Sequence, residues 1–192
     1  MRVESEERRV ESEEFTTALV VRRILLLCCM LWSAAANSSL FTLHSSLVTA
    51  QSFSLETKSD TLHLLVLKTD STESRWRLPY PVYQFCTGDV DGNGSTDALV
   101  GVEKATRYYP YGRRLFIFKN YKGHVRPLWM GSKLGGELKD FRFTDGRVRS
   151  LEATANGLYA VAEYEWSGFG LRFVRFITEK PTDLQTAEKA FE

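Results

Sequence analysis

Cysteine is nearly absent from the part of the chain that reads as a folded domain. Of three in 192 residues, Cys28 and Cys29 lie in the first fifty and only Cys86 follows. One thiol cannot close an internal disulfide, so a domain after residue 50 must be held by its core and by any metal it takes. Cys86 ends the strand-like run Val82-Tyr83-Gln84-Phe85-Cys86, the setting of a buried small hydrophobe rather than a reactive thiol. Histidine is equally scarce. Beyond residue 50 there are His63 and His124, neither beside a nucleophile motif, which leaves no histidine-based triad in view. An excess of either charge is missing too: Lys+Arg 25 against Asp+Glu 24 gives a net +1 with no basic stripe, so nucleic acid is not an expected partner. No apolar run reaches the roughly 20 residues of a spanning helix, and no membrane span is expected in the processed chain.

Residues 1–50 do not read as fold. The hexapeptide Arg2-Val3-Glu4-Ser5-Glu6-Glu7 recurs as Arg9-Val10-Glu11-Ser12-Glu13-Glu14, and residues 1–20 are read as an acidic repeat upstream of the true start. Val21-Arg22-Arg23, the apolar stretch Ile24 to Trp32, and Ser33-Ala34-Ala35-Ala36 then follow the order of a secretory signal. Residues 21–50 are therefore read as signal peptide and processing region, cut after Ala36 or after Ala50. The residues before Cys28 are Leu25-Leu26-Leu27, where a lipidation box wants small side chains, so cleavage is expected rather than lipidation. The expected location is outside the cytoplasm: periplasmic, cell-surface or secreted. Removing residues 1–50 takes away five basic and six acidic residues, leaving 20 and 18.

From Thr61 onward, period-two runs alternate with turn residues. Strands are predicted at Leu62–Leu67, Val82–Cys86, Ala98–Glu103, Leu115–Lys119, Val125–Met130, Phe141–Phe143, Val148–Thr154, Leu158–Trp166 and Leu171–Thr178. Asp145-Gly146, Asn156-Gly157 and Gly135-Gly136 are read as hairpin turns. The spacing is too short for crossover helices. The predicted fold is all-β: an antiparallel meander of about 8–9 strands in two blade-like sheets, either an incomplete propeller or a small sandwich. Residues 51–180 form this single domain. A short tail, 181–192, has Thr182-Asp183 as a helix cap and is expected to fray.

The most specific stretch is Asp89-Val90-Asp91-Gly92-Asn93-Gly94-Ser95-Thr96-Asp97. Oxygen-bearing side chains occupy its positions one, three, five and nine, with glycine at six where a loop must turn around an ion. Ca²⁺ takes six to eight oxygen ligands at roughly 2.3–2.6 Å, and alternate side chains of a curling loop converge to supply them. Val100 stands at position twelve, where an EF-hand needs a bidentate glutamate, and the flanks are strands. The stretch from Gly88 to Val100 resembles the calcium loop of FG-GAP/VCBS-type repeats, the units of integrin-like β-propellers. That resemblance implies a structural Ca²⁺ held by Asp89, Asp91, Asn93 and Asp97, with the backbone carbonyl of Ser95. A complete propeller, typically four to eight four-stranded blades, does not fit this length.

Two other groups stand out. Tyr108, Tyr109 and Tyr111 in a loop, with Trp129 and Trp166, are candidate ligand-contact aromatics, able to stack on a sugar or anchor a protein. Glu163 and Glu165 alternate on one strand face and mimic a glycosidase pair, although such carboxylates usually belong to a solvated sheet face. The expectation is an exported, calcium-binding β module with a binding or scaffolding role toward a protein or glycan and no catalytic residue. The alternative is a carbohydrate-active enzyme or carbohydrate-binding module built on the aromatic loop and Glu163/Glu165.

Overall fold

The computed structural model describes residues 50–131 and 133–192. The acidic repeat, the signal-like stretch and its cysteines lie outside these residues. Eleven strands follow one another: β1 (Ser52–Ser59), β2 (Leu62–Lys68), β3 (Glu73–Leu78), β4 (Val82–Gly88), β5 (Asp97–Lys104), β6 (Gly112–Tyr121), β7 (His124–Met130), β8 (Glu137–Thr144), β9 (Arg147–Ala153), β10 (Tyr159–Trp166) and β11 (Leu171–Phe176), with helix α1 (Leu184–Phe191) last. Every pairing is antiparallel and between chain neighbours, giving sheets β1-β2-β3, β4-β5-β6-β7 and β8-β9-β10-β11. The all-β meander is as read from the sequence. The counts are not, since there are eleven strands rather than eight or nine, and three sheets rather than two.

The two unpredicted strands are β1 and β3, the edges of the first sheet. Serine, glutamate and arginine occupy most of their positions, because an edge strand with one wet face needs few apolar residues. Their buried residues, Phe53 and Leu78, join Leu65 and Leu67 of β2 against the middle sheet.

That middle sheet, β4 to β7, is covered on both faces. Along β5 and β6, Ala98, Val100, Phe116 and Phe118 pack toward the first sheet. Their alternates Leu99, Leu115 and Ile117 pack toward Leu138, Phe141, Val148, Ala162 and Tyr164 of the third. Two-sided burial explains why Asp97 to Val102 and Leu115 to Phe118 are continuously buried rather than alternating. Each of the leucine, valine, isoleucine and phenylalanine side chains among them contributes about 1.5–3 kcal/mol relative to exposure. Pro127, which has no N–H to give, sits on the edge strand β7 beside a bulge between Ile117 and Phe118.

The third sheet buries its far face under α1. Leu151 and Val161 meet Ala187 and Phe191. Asp183 caps the helix, its side chain accepting from Thr186 N at 3.0 Å, and Thr182 bridges Tyr159 through paired backbone bonds of 2.7 and 2.8 Å. The tail is thus an integral part of this sheet's packing, a correction to the expectation that it frays: two apolar side chains one helical turn apart are enough to seat it. Asp145 and Gly146, at φ 51° and 72°, make the predicted tight turn between β8 and β9. Gly135-Gly136 is not a hairpin turn; it leads into β8.

Candidate metal loop and the other predicted sites

The Asp89–Asp97 segment is the β4–β5 hairpin loop of the middle sheet, closed by the pair Gly88 and Asp97. Its local fold follows from its residues. Asp89 accepts from the backbone N–H groups of Asn93 (3.0 Å) and Gly94 (2.8 Å), and Asn93 Oδ1 from Ser95 N (2.7 Å). These short side chains bond their own backbone and so tighten the curl. Gly92 and Gly94 adopt φ 70° and 82°, which only glycine takes without strain. Val90 points the other way, into the core between the middle and third sheets, and anchors the loop.

The curl brings three carboxylates together. Asp89, Asp91 and Asp97 each place an oxygen within 4.8 Å of the others. Asp97 is fully buried; its Oδ2 accepts from Val90 N at 3.0 Å, whereas its Oδ1 has no partner. Asp91 Oδ1 is likewise buried and unpartnered, and Asp91 Oδ2 has Lys119 Nζ of β6 at 3.8 Å. Burial pushes the Asp97 carboxyl up to about 6 and the charges of Asp91 and Asp89 add to it, against the backbone N–H groups of Val90 and, more weakly, Asp91. A buried acceptor without a donor costs about 1–3 kcal/mol, more when charged. Two of them beside a third carboxylate form a donor set suited to a hard cation. The oxygen of Asn93, the fourth predicted side-chain ligand, accepts from Ser95 N, as both oxygens of Asp89 accept from backbone N–H groups.

The loop is tied in from outside by residues that the sequence reading missed. Gln51 donates to Thr96 O at 2.9 Å and accepts from Asn120 of β6 at 2.6 Å. Lys119 and Asn120 are adjacent on β6. Only three-dimensional strand order, not spacing along the chain, places them beside the loop.

The predicted aromatics do not form one cluster. Tyr108, Tyr109 and Tyr111 are 78 %, 41 % and 63 % exposed on the β5–β6 loop. That loop is at the opposite end of β5 from Asp97, roughly 20 Å away at about 3.4 Å per strand residue. Trp129 and Trp166 are half-buried against the core between the middle and third sheets. Glu163 is buried among Arg175 (2.8 Å), Arg149 (3.1 Å) and Arg147 (3.3 Å), while Glu165 pairs with Arg172. Both carboxylates are thus engaged by guanidinium groups on the sheet. His63 is a core histidine, with Nδ1 3.1 Å from Tyr80 O. Cys86 is half-buried, and burial pushes its thiol up to about 11, which suits a packing role.

No family model matches the chain. Nor does any curated protein or solved structure match it. The FG-GAP/VCBS resemblance accordingly rests on the loop's own residues.

Proposed function

We propose that the chain is an exported β module that binds calcium at its β4–β5 loop and acts by binding or scaffolding rather than by catalysis. The observation that supports the ion is the pair of buried, unpartnered oxygens, Asp91 Oδ1 and Asp97 Oδ1, beside the Asp89 carboxylate. All the donors are hard oxygens on a glycine-containing loop. Such a loop accommodates the larger, irregular shell of Ca²⁺ better than the strict octahedron of Mg²⁺. The similarity of Gly88 to Val100 to the FG-GAP/VCBS loop points the same way. Bound there, the ion would offset three negative charges and clamp the ends of β4 and β5. Export is supported by the basic, apolar and small-residue order of residues 21–36. No helix among the described residues is long and apolar enough to cross a membrane.

Thermal melting tests the ion. An affinity on the order of 10⁻⁴–10⁻³ M is expected for an extracellular module of this kind. At about ten times that concentration, mass action gives roughly 1.4 kcal/mol, and so a rise of a few degrees in Tm. EDTA should remove the rise, and Asp97→Ala and Asp89→Ala should abolish the response. A midpoint indifferent to Ca²⁺ through the millimolar range would falsify the proposal, and a response to Mg²⁺ of equal size would overturn the choice of ion.

A further inference from the structure

The third sheet carries a cavity of about 530 Å³, well within the range of small-molecule sites. It exists because β9 ends and β10 begins with small residues, Ala153 and Ala160, while Phe176 of β11 and Pro181 complete an apolar wall. None of the Asp89–Asp97 residues lines it.

One carboxylate in its lining is unusual. Glu152 is 3 % exposed, yet its partners among the described residues are all neutral. Oε1 accepts from Ser150 Oγ at 2.6 Å and from Tyr164 Oη at 2.8 Å, and Oε2 accepts from Gly136 N. Tyr164 is itself fixed by Gly135 N at 3.0 Å, and burial first, then Glu152, holds its hydroxyl protonated. The group is therefore held by three donors, but without a counter-charge. A buried carboxylate is expensive unless a cation faces it. The other charged lining residues are Lys133, Glu137, Glu179 and Lys180; with Glu137 paired outside the lining, two lysines stand against Glu152 and Glu179, so recognition of a cation falls to Glu152 itself. Glu137 is engaged by Lys139 at 2.7 Å. Lys133, Glu179 and Lys180 are exposed at the rim, where water screens them.

We propose that this cavity binds a small organic cation, a primary amine with an apolar body. Its ammonium group would meet the remaining lone pair of Glu152, and its body would lie against Phe176 and Pro181. The hydrogen bonds already made to Glu152 reduce the reorganisation needed when the amine enters. This reading is independent of the metal loop.

Benzylamine, benzyl alcohol and benzoate, titrated separately into the full chain, distinguish the charge from the ring. Amide resonances of Gly135 and Gly136 report on the site, and calorimetry gives the affinity. Benzylamine should bind at least tenfold more tightly than the other two, shifting both glycine amides. Glu152→Gln keeps the size of the side chain and the Oε1 acceptor, gives up the bond from Gly136 N along with the charge, and should lose that tenfold preference. Phe176→Ala, at a position 59 % exposed, leaves the fold intact and should weaken benzylamine severalfold. Equal binding of benzylamine and benzyl alcohol overturns the proposal, as does a folded Glu152→Gln that still prefers the amine. Should Glu152→Gln not fold, unchanged affinity in Phe176→Ala overturns it.

Discussion

Glu163 is 3 % exposed on the face of the third sheet that α1 partly covers, with three guanidinium groups around it. Burial works to raise its pKa, but the hydrogen bonds of Arg175 and Arg149, then the charge of Arg175 and the bond from Arg147, outweigh it and hold the carboxyl below its usual value of 4.5. A depressed carboxyl favours the folded state above its unfolded value, and that contribution disappears as pH falls through the lower, folded one. Glu163→Gln should therefore melt below the parent at pH 7, by about 1–2 kcal/mol once the exposure of Arg147 and Arg175 is allowed for. The two curves should converge as pH falls through that depressed value, where the parent loses the same charge. A difference that persists unchanged into acid would mean that Glu163 acts through packing alone. Asp97 is the opposite case, a buried carboxyl pushed up rather than down, because no guanidinium faces it. The sequence marks Asp97 as a candidate ligand and Glu163 only as an acid on a strand, and shows the acidity of neither. What separates them is their neighbours: Asp97 meets Val90, Asp91 and Asp89 of its own loop, whereas strand pairing brings Glu163 its arginines from a dozen or more positions away.

Among the elements, the long apolar strands and the Asp-Gly turn were legible, because two-sided burial and a positive φ leave direct marks in residue type. The β4–β5 loop was legible for the same reason. Edge strands leave weaker marks, so β1 and β3 went unread. The Glu152 network left one faint signal: Val148, Ser150 and Glu152 share a strand parity, an apolar face turning polar. The cavity left none, since it depends on how β9, β10, β11 and the α1 approach meet. Gly101 on β5 shows how tightly sheets are set. A Cβ there would lie 2.6 Å from Tyr83 and 2.9 Å from Phe141 of β8. Gly101→Ala should cost about 1–3 kcal/mol by forcing those rings apart. Chemical denaturation measures it, and a neutral result would mean that the rings shift freely.

At the scale of the described fold, the middle sheet belongs to two cores at once. Phe118 packs toward the first sheet and Ile117, its chain neighbour, toward the third. Phe118→Ala should cost about 3–5 kcal/mol and Ile117→Ala about 2–5 kcal/mol. Because one sheet transmits both losses, each variant should still unfold in a single transition at a lower midpoint, by calorimetry and by tryptophan fluorescence alike. A transition that splits in two would show the sheets to be separate cooperative units. Calcium, if it binds as proposed, would raise that shared midpoint, since its loop is rooted in the core through Val90.

The strictly sequential strand pairing also bears on how the chain is made. Each sheet is complete as soon as its own residues have emerged, and none waits for a distant strand to close its ladder. The middle sheet is the exception in another respect. Its Leu99, Leu115 and Ile117 face has no full cover until β8 to β11 have followed, between Glu137 and Phe176, whereas the sheet itself ends at Met130. During that interval a nascent polypeptide presents its most apolar surface to its surroundings. The third sheet, and the helix that seals it, end the exposure.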